Sequence, residues 1–103
     1  VMFGLGGVFI EVMKDVTFRM APLTDIDADE MIRGVKAYQL LQGARGTTPA
    51  QIDQLRECLL RISQLVQDFP AITELDINPL IISEKNGEGI AVDGRIKVDL
   101  KKL

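Results

Sequence analysis

Asp76 and Asn78 stand two residues apart in the stretch ELDINPLIIS (residues 74–83), and Asp93 follows in the next apolar run, GIAVDGRIKVDL. Side chains alternate along a strand, so Asp76 and Asn78 project from one face of an extended segment. Carboxylate and amide oxygens without thiolate or imidazole are the donor set of a hard cation such as Mg²⁺. Magnesium takes few protein carboxylates and completes its octahedron with water and substrate phosphates, so the implied ligand is a nucleotide triphosphate. Asp and Asn beside strands are also common as solvated or turn-forming residues. Their spacing alone leaves both readings open.

The decision rests on the elements that position them. Asn86-Gly87 between two β-rich runs predicts a hairpin. With that pair at the centre of a two- or four-residue loop, Leu80 pairs with Asp93 and Asn78 with Arg95. Asp76, Asn78 and Leu80 then share a face with Asp93 and Arg95. Asn78 and Asp93 become diagonal neighbours about 7–8 Å apart, close enough to hold one cation. A slip of one residue would carry Asp93 to the opposite face. Pro79 lacks a backbone donor, which predicts an edge or bulge that aims a side chain into a cleft.

Upstream, GVFIEVMKD alternates Val8, Ile10 and Val12 with Phe9, Glu11 and Met13 and predicts a strand. A second strand, VTFRMAPL, follows a turn at Lys14 and Asp15 and ends at Pro22. Thr24 or Asp27 caps a helix whose buried face is Ala28, Met31, Ile32 and Val35, with a further short turn through YQLL that stops at Gly43, over residues 25–42. Thr48 as N-cap, Pro49 as first helical residue and Gln51 at the capping-box position predict a helix over 49–69. Its apolar face is Ile52, Leu55, Leu59, Ile62, Val66 and Phe69. The expected fold is α+β in the order ββααββ, an antiparallel sheet of two hairpins with the helices on one face.

Composition narrows the function classes. The 103 residues, 47% hydrophobic, suit a single domain over 1–103. A net charge of −3 with dispersed Lys and Arg offers no basic stripe for nucleic acid. No apolar run approaches the roughly 20 residues of a membrane span, and no signal-peptide pattern opens the chain. The single cysteine, Cys58, cannot close an internal disulfide, which suits a reducing compartment and points to the cytosol. With no histidine, the chain supplies neither a Ser-His triad nor an imidazole metal site. The opening VMFGLGGVFIEV reads as a domain cut from a longer chain.

Taken together, MFGLGGVFIEVMKDVTFRMAPL, GARG, FPAITELDINPLIIS and AVDGRI resemble, in collinear order over nearly the whole chain, the ATP-grasp region of NDP-forming acyl-CoA synthetases. This is the β part of ADP-forming acetyl-CoA synthetase, a relative of succinyl-CoA synthetase β. The resemblance implies the C-terminal subdomain of an ATP-grasp fold. Asn78 and Asp93 would hold the Mg²⁺ that bridges the phosphates of ATP or ADP, and Asp76 stands where succinyl-CoA synthetases have glutamate. It further implies a ligase coupling acyl-CoA thioester cleavage to ATP synthesis through a phosphohistidine on a separate CoA-binding domain or subunit. The rest of the ATP-grasp module, with its nucleotide-gripping lysine, is expected upstream, so residues 1–103 alone should lack turnover. The acyl substrate, the choice of adenine or guanine nucleotide and the oligomeric state are not legible.

Other residues carry weaker readings. Gly6 and Gly7 of GLGG could present backbone N–H groups to phosphate, but without a Walker lysine a tight turn is the plainer role. Glu11 and Arg19, on adjacent expected strands, could face the cleft, with Arg19 toward phosphate; a cross-strand ion pair is the competing reading. Arg45 reads as a solvated loop residue, and Cys58 as packing. Two other functions fit the same residues. One is a synthetase-like regulatory region of a protein acetyltransferase; the other is a non-catalytic domain that binds a partner subunit through its open sheet face.

Overall fold

The computed structural model describes residues 1–43, 49–83 and 85–102. Thr48 and Arg45, named above, lie outside them. The cap and buried face expected near residue 25 are found in a helix, α2 (Asp25–Gly34). Of the two candidate caps, Thr24 is the one used. Its Oγ1 accepts the Asp27 N–H at 3.1 Å, and the Asp27 carboxylate accepts the Thr24 N–H at 2.9 Å, a reciprocal capping box. These bonds hold the Asp27 carboxyl below its ordinary pKa. Replacing Thr24 with alanine removes the acceptor for an N-terminal donor. The expected loss is about 1 kcal/mol, read as faster hydrogen exchange at Asp27.

The expected buried face is the core. Ala28, Met31 and Ile32 are fully buried and Val35 nearly so. A short helix, α3 (Tyr38–Leu41), follows and ends near Gly43, whose φ is 89°. Helix α4 (Ile52–Asp68) lies against α2 with Leu55 and Leu59 buried between them. The Ser63 hydroxyl accepts the Leu23 N–H at 2.8 Å and ties the entry of α2 to α4. On the solvent side Asp29 receives Arg56 at 3.0 Å and Arg33 at 2.8 Å, and these bonds keep its carboxyl below the ordinary range.

Helix α4 begins three residues later than Thr48-Pro49 predicts, with Gln51 as N-cap. Tertiary bonds hold the chain extended there. The Ala50 N–H donates to Leu41 O at 2.8 Å and the Gln51 N–H to Gly87 O at 2.9 Å. Gly87, at φ 74°, lies so close that a Cβ would strike the Pro49 carbonyl. Local helix-start chemistry loses to docking of the hairpin turn.

The N-terminal region departs further from expectation. Strand β1 (Met2–Gly4) pairs antiparallel with β2 (Val16–Phe18), Phe3 opposite Thr17. Between them, the alternating VFIE forms a one-turn helix, α1 (Val8–Glu11), where a strand is predicted. Gly7 turns the chain at φ 67°, and its carbonyl accepts the Ile10 and Glu11 N–H groups. Of the six residues 8–13 only Glu11 is polar, and periodicity cannot separate strand from helix in so short an apolar run.

The C-terminal half is one long hairpin, interrupted in its middle. Strand β3 (Ile72–Ile77) pairs with β6 (Gly94–Val98), and β4 (Leu80–Ile82) with β5 (Gly89–Ala91). A final 3-10 turn covers Leu100–Lys102. The α+β class and antiparallel pairing are as expected. The described strands form three two-stranded ribbons, however, where a single sheet is predicted. Leu80 and Ile82 pack on the helical core, and α2 packs on β1 and β2. Among the described residues, no helix is long and apolar enough to cross a membrane.

Candidate metal site

The hairpin register differs from the expected one by two residues. Asp76 faces Arg95, Ile77 faces Gly94 and Leu80 faces Ala91. The turn explains the shift. The Ser83 N–H donates to Glu88 O at 2.8 Å, closing a four-residue loop in which Asn86-Gly87 fill the second half, not the centre. An even shift preserves the face on which each side chain lies, because the strand period is two.

The new register brings Asn78 and Asp93 closer. The Asn78 N–H donates to Asp93 O at 3.0 Å, which places the two residues directly opposite each other. Such a pair lies about 5.5 Å apart at Cα, against the 7–8 Å diagonal of the sequence reading. Asp76 sits two residues back on the same strand, opposite Arg95. All three oxygen-bearing side chains are exposed.

Asn78 and Asp93 lie where the hairpin breaks. Pro79 cannot donate to the ladder, and the Val92 N–H bonds to Pro79 O at 3.1 Å on the far side of the gap. The break also resets the alternation. Before it, Leu75 and Ile77 are half-buried and Asp76 and Asn78 exposed; after it, Leu80 and Ile82 turn inward while Ile81 is 51% exposed. Leu80 therefore does not share the face of Asp76 and Asn78, as a continuous strand would require.

The donor set suits a hard divalent cation: two carboxylates and one amide oxygen, solvent-accessible and without soft ligands. The Asp76, Asn78 and Asp93 side chains make no hydrogen bond to another described residue, which leaves their lone pairs available. Among the described residues, no three His, Cys, Asp or Glu side chains converge. Along the same face Lys97 stands opposite Glu74 and Arg95 opposite Asp76. Asn78–Asp93 is the one pair of this row without a basic member.

The remaining sequence candidates are not gathered here. Arg19 bonds Glu30 at 3.3 Å and its own neighbour Phe18 O at 2.7 Å, so its ion-pair partner is on α2 and not Glu11. Glu11 is on α1, exposed. The GLGG stretch does lie between a strand and a helix, an order the sequence reading missed by taking residues 8–13 as a strand. Gly6 borders the same hollow as Asp76 and Asn78. A buried structural carboxylate that sequence reasoning overlooks is Asp15, which the pattern assigns to a turn without any signal of burial.

Comparison with known proteins gives one consistent answer. The family model described as ATP-grasp domain matches residues 1–98. The 4-hydroxybutyrate–CoA ligase [ADP-forming] of Nitrosopumilus maritimus is 52% identical over 89% of this chain and 13% of its own length. Acetate–CoA ligase [ADP-forming] I subunit beta of Pyrococcus furiosus is 50% identical over 93% of this chain and 40% of its own. A solved structure of the dinucleotide-forming acetyl-coenzyme A synthetase 1 of Ca. Korarchaeum cryptofilum, in complex with coenzyme A and Mg-AMPPCP, superposes with a TM-score of 0.85 at 43% identity. It covers 95% of this chain and 45% of that one. The chain thus spans less than half the length of these relatives.

Proposed function

Because the chain belongs to the ATP-grasp family, we propose that Asn78 and Asp93, with Asp76 beside them, hold the magnesium of a bound ATP or ADP. The parent protein would be an ADP-forming acyl-CoA synthetase, an acid–thiol ligase. The observation that carries this reading is the direct opposition of Asn78 and Asp93 at the hairpin break. The magnesium-nucleotide complex named in the solved relative supports it.

A bound magnesium would supply positive charge against the phosphates during transfer. The protein's own part is positional. Asn78 offers a neutral oxygen and Asp93 an anionic one, and the backbone bond between them fixes their separation. Asp76, opposite the fixed charge of Arg95, would sit at the edge of that set. Because this chain has no histidine, the phosphoryl carrier and the CoA-binding elements would come from another domain or subunit. The unpaired Cys58 suits a cytosolic setting for the whole.

The test is calorimetric titration of the intact parent protein with ATP or ADP, with and without Mg²⁺. Binding should be at least about tenfold tighter with magnesium, a difference of about 1.4 kcal/mol. A protein that uses this region only to bind a partner subunit would give no heat in either titration.

A further inference from the structure

Helix α4 holds the C-terminal hairpin at two places, one on each side of the break. At the end of the helix the chain passes from Phe69 through the buried Ala71 into β3. The Ile72 N–H donates to Phe69 O at 2.9 Å and the Asp99 N–H to Ala71 O at 2.8 Å, so the ribbon β3–β6 is tied there by both of its strands. At its start the helix holds the other ribbon, β4–β5, by the turn. The Gln51 N–H donates to Gly87 O at 2.9 Å, the Gln51 Nε2 donates to Asn86 O at 2.9 Å, and Gln54 Oε1 accepts the Gly89 N–H at 2.6 Å. Gly87 itself is buried against the Pro49 carbonyl.

The bond from Gly89 is set by the ladder. Ser83 and Glu88 form a bonded pair, and bonded pairs alternate with unbonded ones, so Gly89, opposite Ile82, directs its N–H out of the ribbon. Gln54 meets it there. The break is spanned by two backbone bonds, from the Asn78 N–H to Asp93 O at 3.0 Å and from the Val92 N–H to Pro79 O at 3.1 Å. Beyond it the two ribbons are separate sheets. So short a junction leaves the angle between the ribbons to whatever holds them from outside. Helix α4, with 17 residues about 25 Å long, is a strut that holds both.

We propose that Gln51 and Gln54 are positioning residues for the Asn78–Asp93 pair: by clamping the turn to the start of α4 they set the angle at which the strand after Gly89 delivers Asp93 to Asn78. Both glutamines bond to the turn and the start of β5, and act on the pair through the ribbon. Magnesium demands near-ideal octahedral geometry, so a tilt of one ribbon against the other changes how well two protein oxygens can share one ion. The consequence for magnesium rests on the function proposed above; the mechanical link between turn and pair does not.

Three variants of the intact parent protein test the link: Gln54→Leu, which removes the acceptor, Gln54→Glu, which keeps an accepting oxygen, and Gln51→Leu combined with Gln54→Leu. Hydrogen–deuterium exchange is measured first, without metal or nucleotide. The Asn78 and Val92 amides should exchange about threefold faster in Gln54→Leu and about tenfold faster in the double variant, while the Met31 and Ile32 amides of the core stay as in wild type. Gln54→Glu should match wild type. Calorimetry with ADP follows. The Mg²⁺ concentration that gives half of the magnesium-dependent gain in affinity should rise about tenfold in the double variant, with affinity in the absence of magnesium unchanged. Unchanged exchange at Asn78 and Val92 in both leucine variants would overturn the proposal. So would faster exchange with a wild-type magnesium requirement, where Asp93→Ala has lost magnesium affinity; the metal assignment would then stand without the clamp. No loss of magnesium affinity in Asp93→Ala would strike the metal reading instead, and the two amides would decide the mechanical link by themselves.

Discussion

Replacing Asp93 with alanine in the parent protein is expected to lower magnesium-dependent ATP formation by about 100-fold, with the fold intact. The magnitude follows from the site's composition. A magnesium ion bridging phosphates is held by few protein oxygens, so losing the anionic one of an opposed pair removes several kcal/mol of cation binding, and each 1.4 kcal/mol is about tenfold. Asp93 is exposed and its side chain makes no bond to another described residue, so stability should change by no more than about 0.5 kcal/mol. Its backbone carbonyl, which accepts from Asn78, survives the substitution. Asp93→Asn keeps an oxygen donor and loses the charge, and should fall between wild type and alanine. Glu88, an exposed carboxylate at the far end of the same hairpin, is the control; Glu88→Ala should leave activity unchanged. Activity and magnesium affinity equal to wild type in Asp93→Ala would remove the metal assignment.

That Asn78 and Asp93 share a face was legible in the sequence because it depends on the parity of the pairing and not on its exact register. The turn at Ser83 and Glu88 moved every pairing by two residues, yet Asn78 and Asp93 stayed on one face and came closer. Leu80 shows where the same reasoning fails. Grouping it with Asp76 and Asn78 requires an unbroken strand, and the gap at Pro79 reverses the alternation beyond it. Helix α2 was readable down to its buried face because cap, acidic first turn and apolar stripe agree. The start of α4 was not, since the Ala50 and Gln51 N–H groups are held by Leu41 and Gly87, outside the local helix-start pattern. Residues 8–11 were misread for a similar reason. A strand with partners on neither side has nothing to stabilise its alternation, and Gly7 redirects the chain into a turn of helix instead.

Asp15 exposes the other limit, and its replacement should have the largest structural effect. From sequence, Lys14 and Asp15 form a turn between two strands. In the fold Asp15 is only 5% exposed. One carboxylate oxygen accepts the Lys36 N–H at 2.7 Å and the other accepts the Ala37 N–H at 2.9 Å. These donors belong to the junction where α2 has ended at Gly34 and α3 has not begun. No helical carbonyl is available to them. Asp15 thus fastens the start of β2 to the α2–α3 corner, and Lys14, at φ 56°, delivers it there. Hydrogen bonds to a charged acceptor are worth roughly 1.5–3 kcal/mol each, and deleting the acceptor leaves both donors unsatisfied. Asp15→Ala should therefore cost about 3 kcal/mol locally, seen as roughly 100-fold faster hydrogen exchange at the Lys36 and Ala37 amides of the parent protein. Asp15→Asn separates shape from chemistry. It keeps one accepting oxygen but sets an NH₂ group against the second donor, so one of the two amides should keep its protection while the other loses it. Exchange at both amides unchanged in Asp15→Ala would mean that packing alone holds the corner, and that the carboxylate is buried there for some other reason.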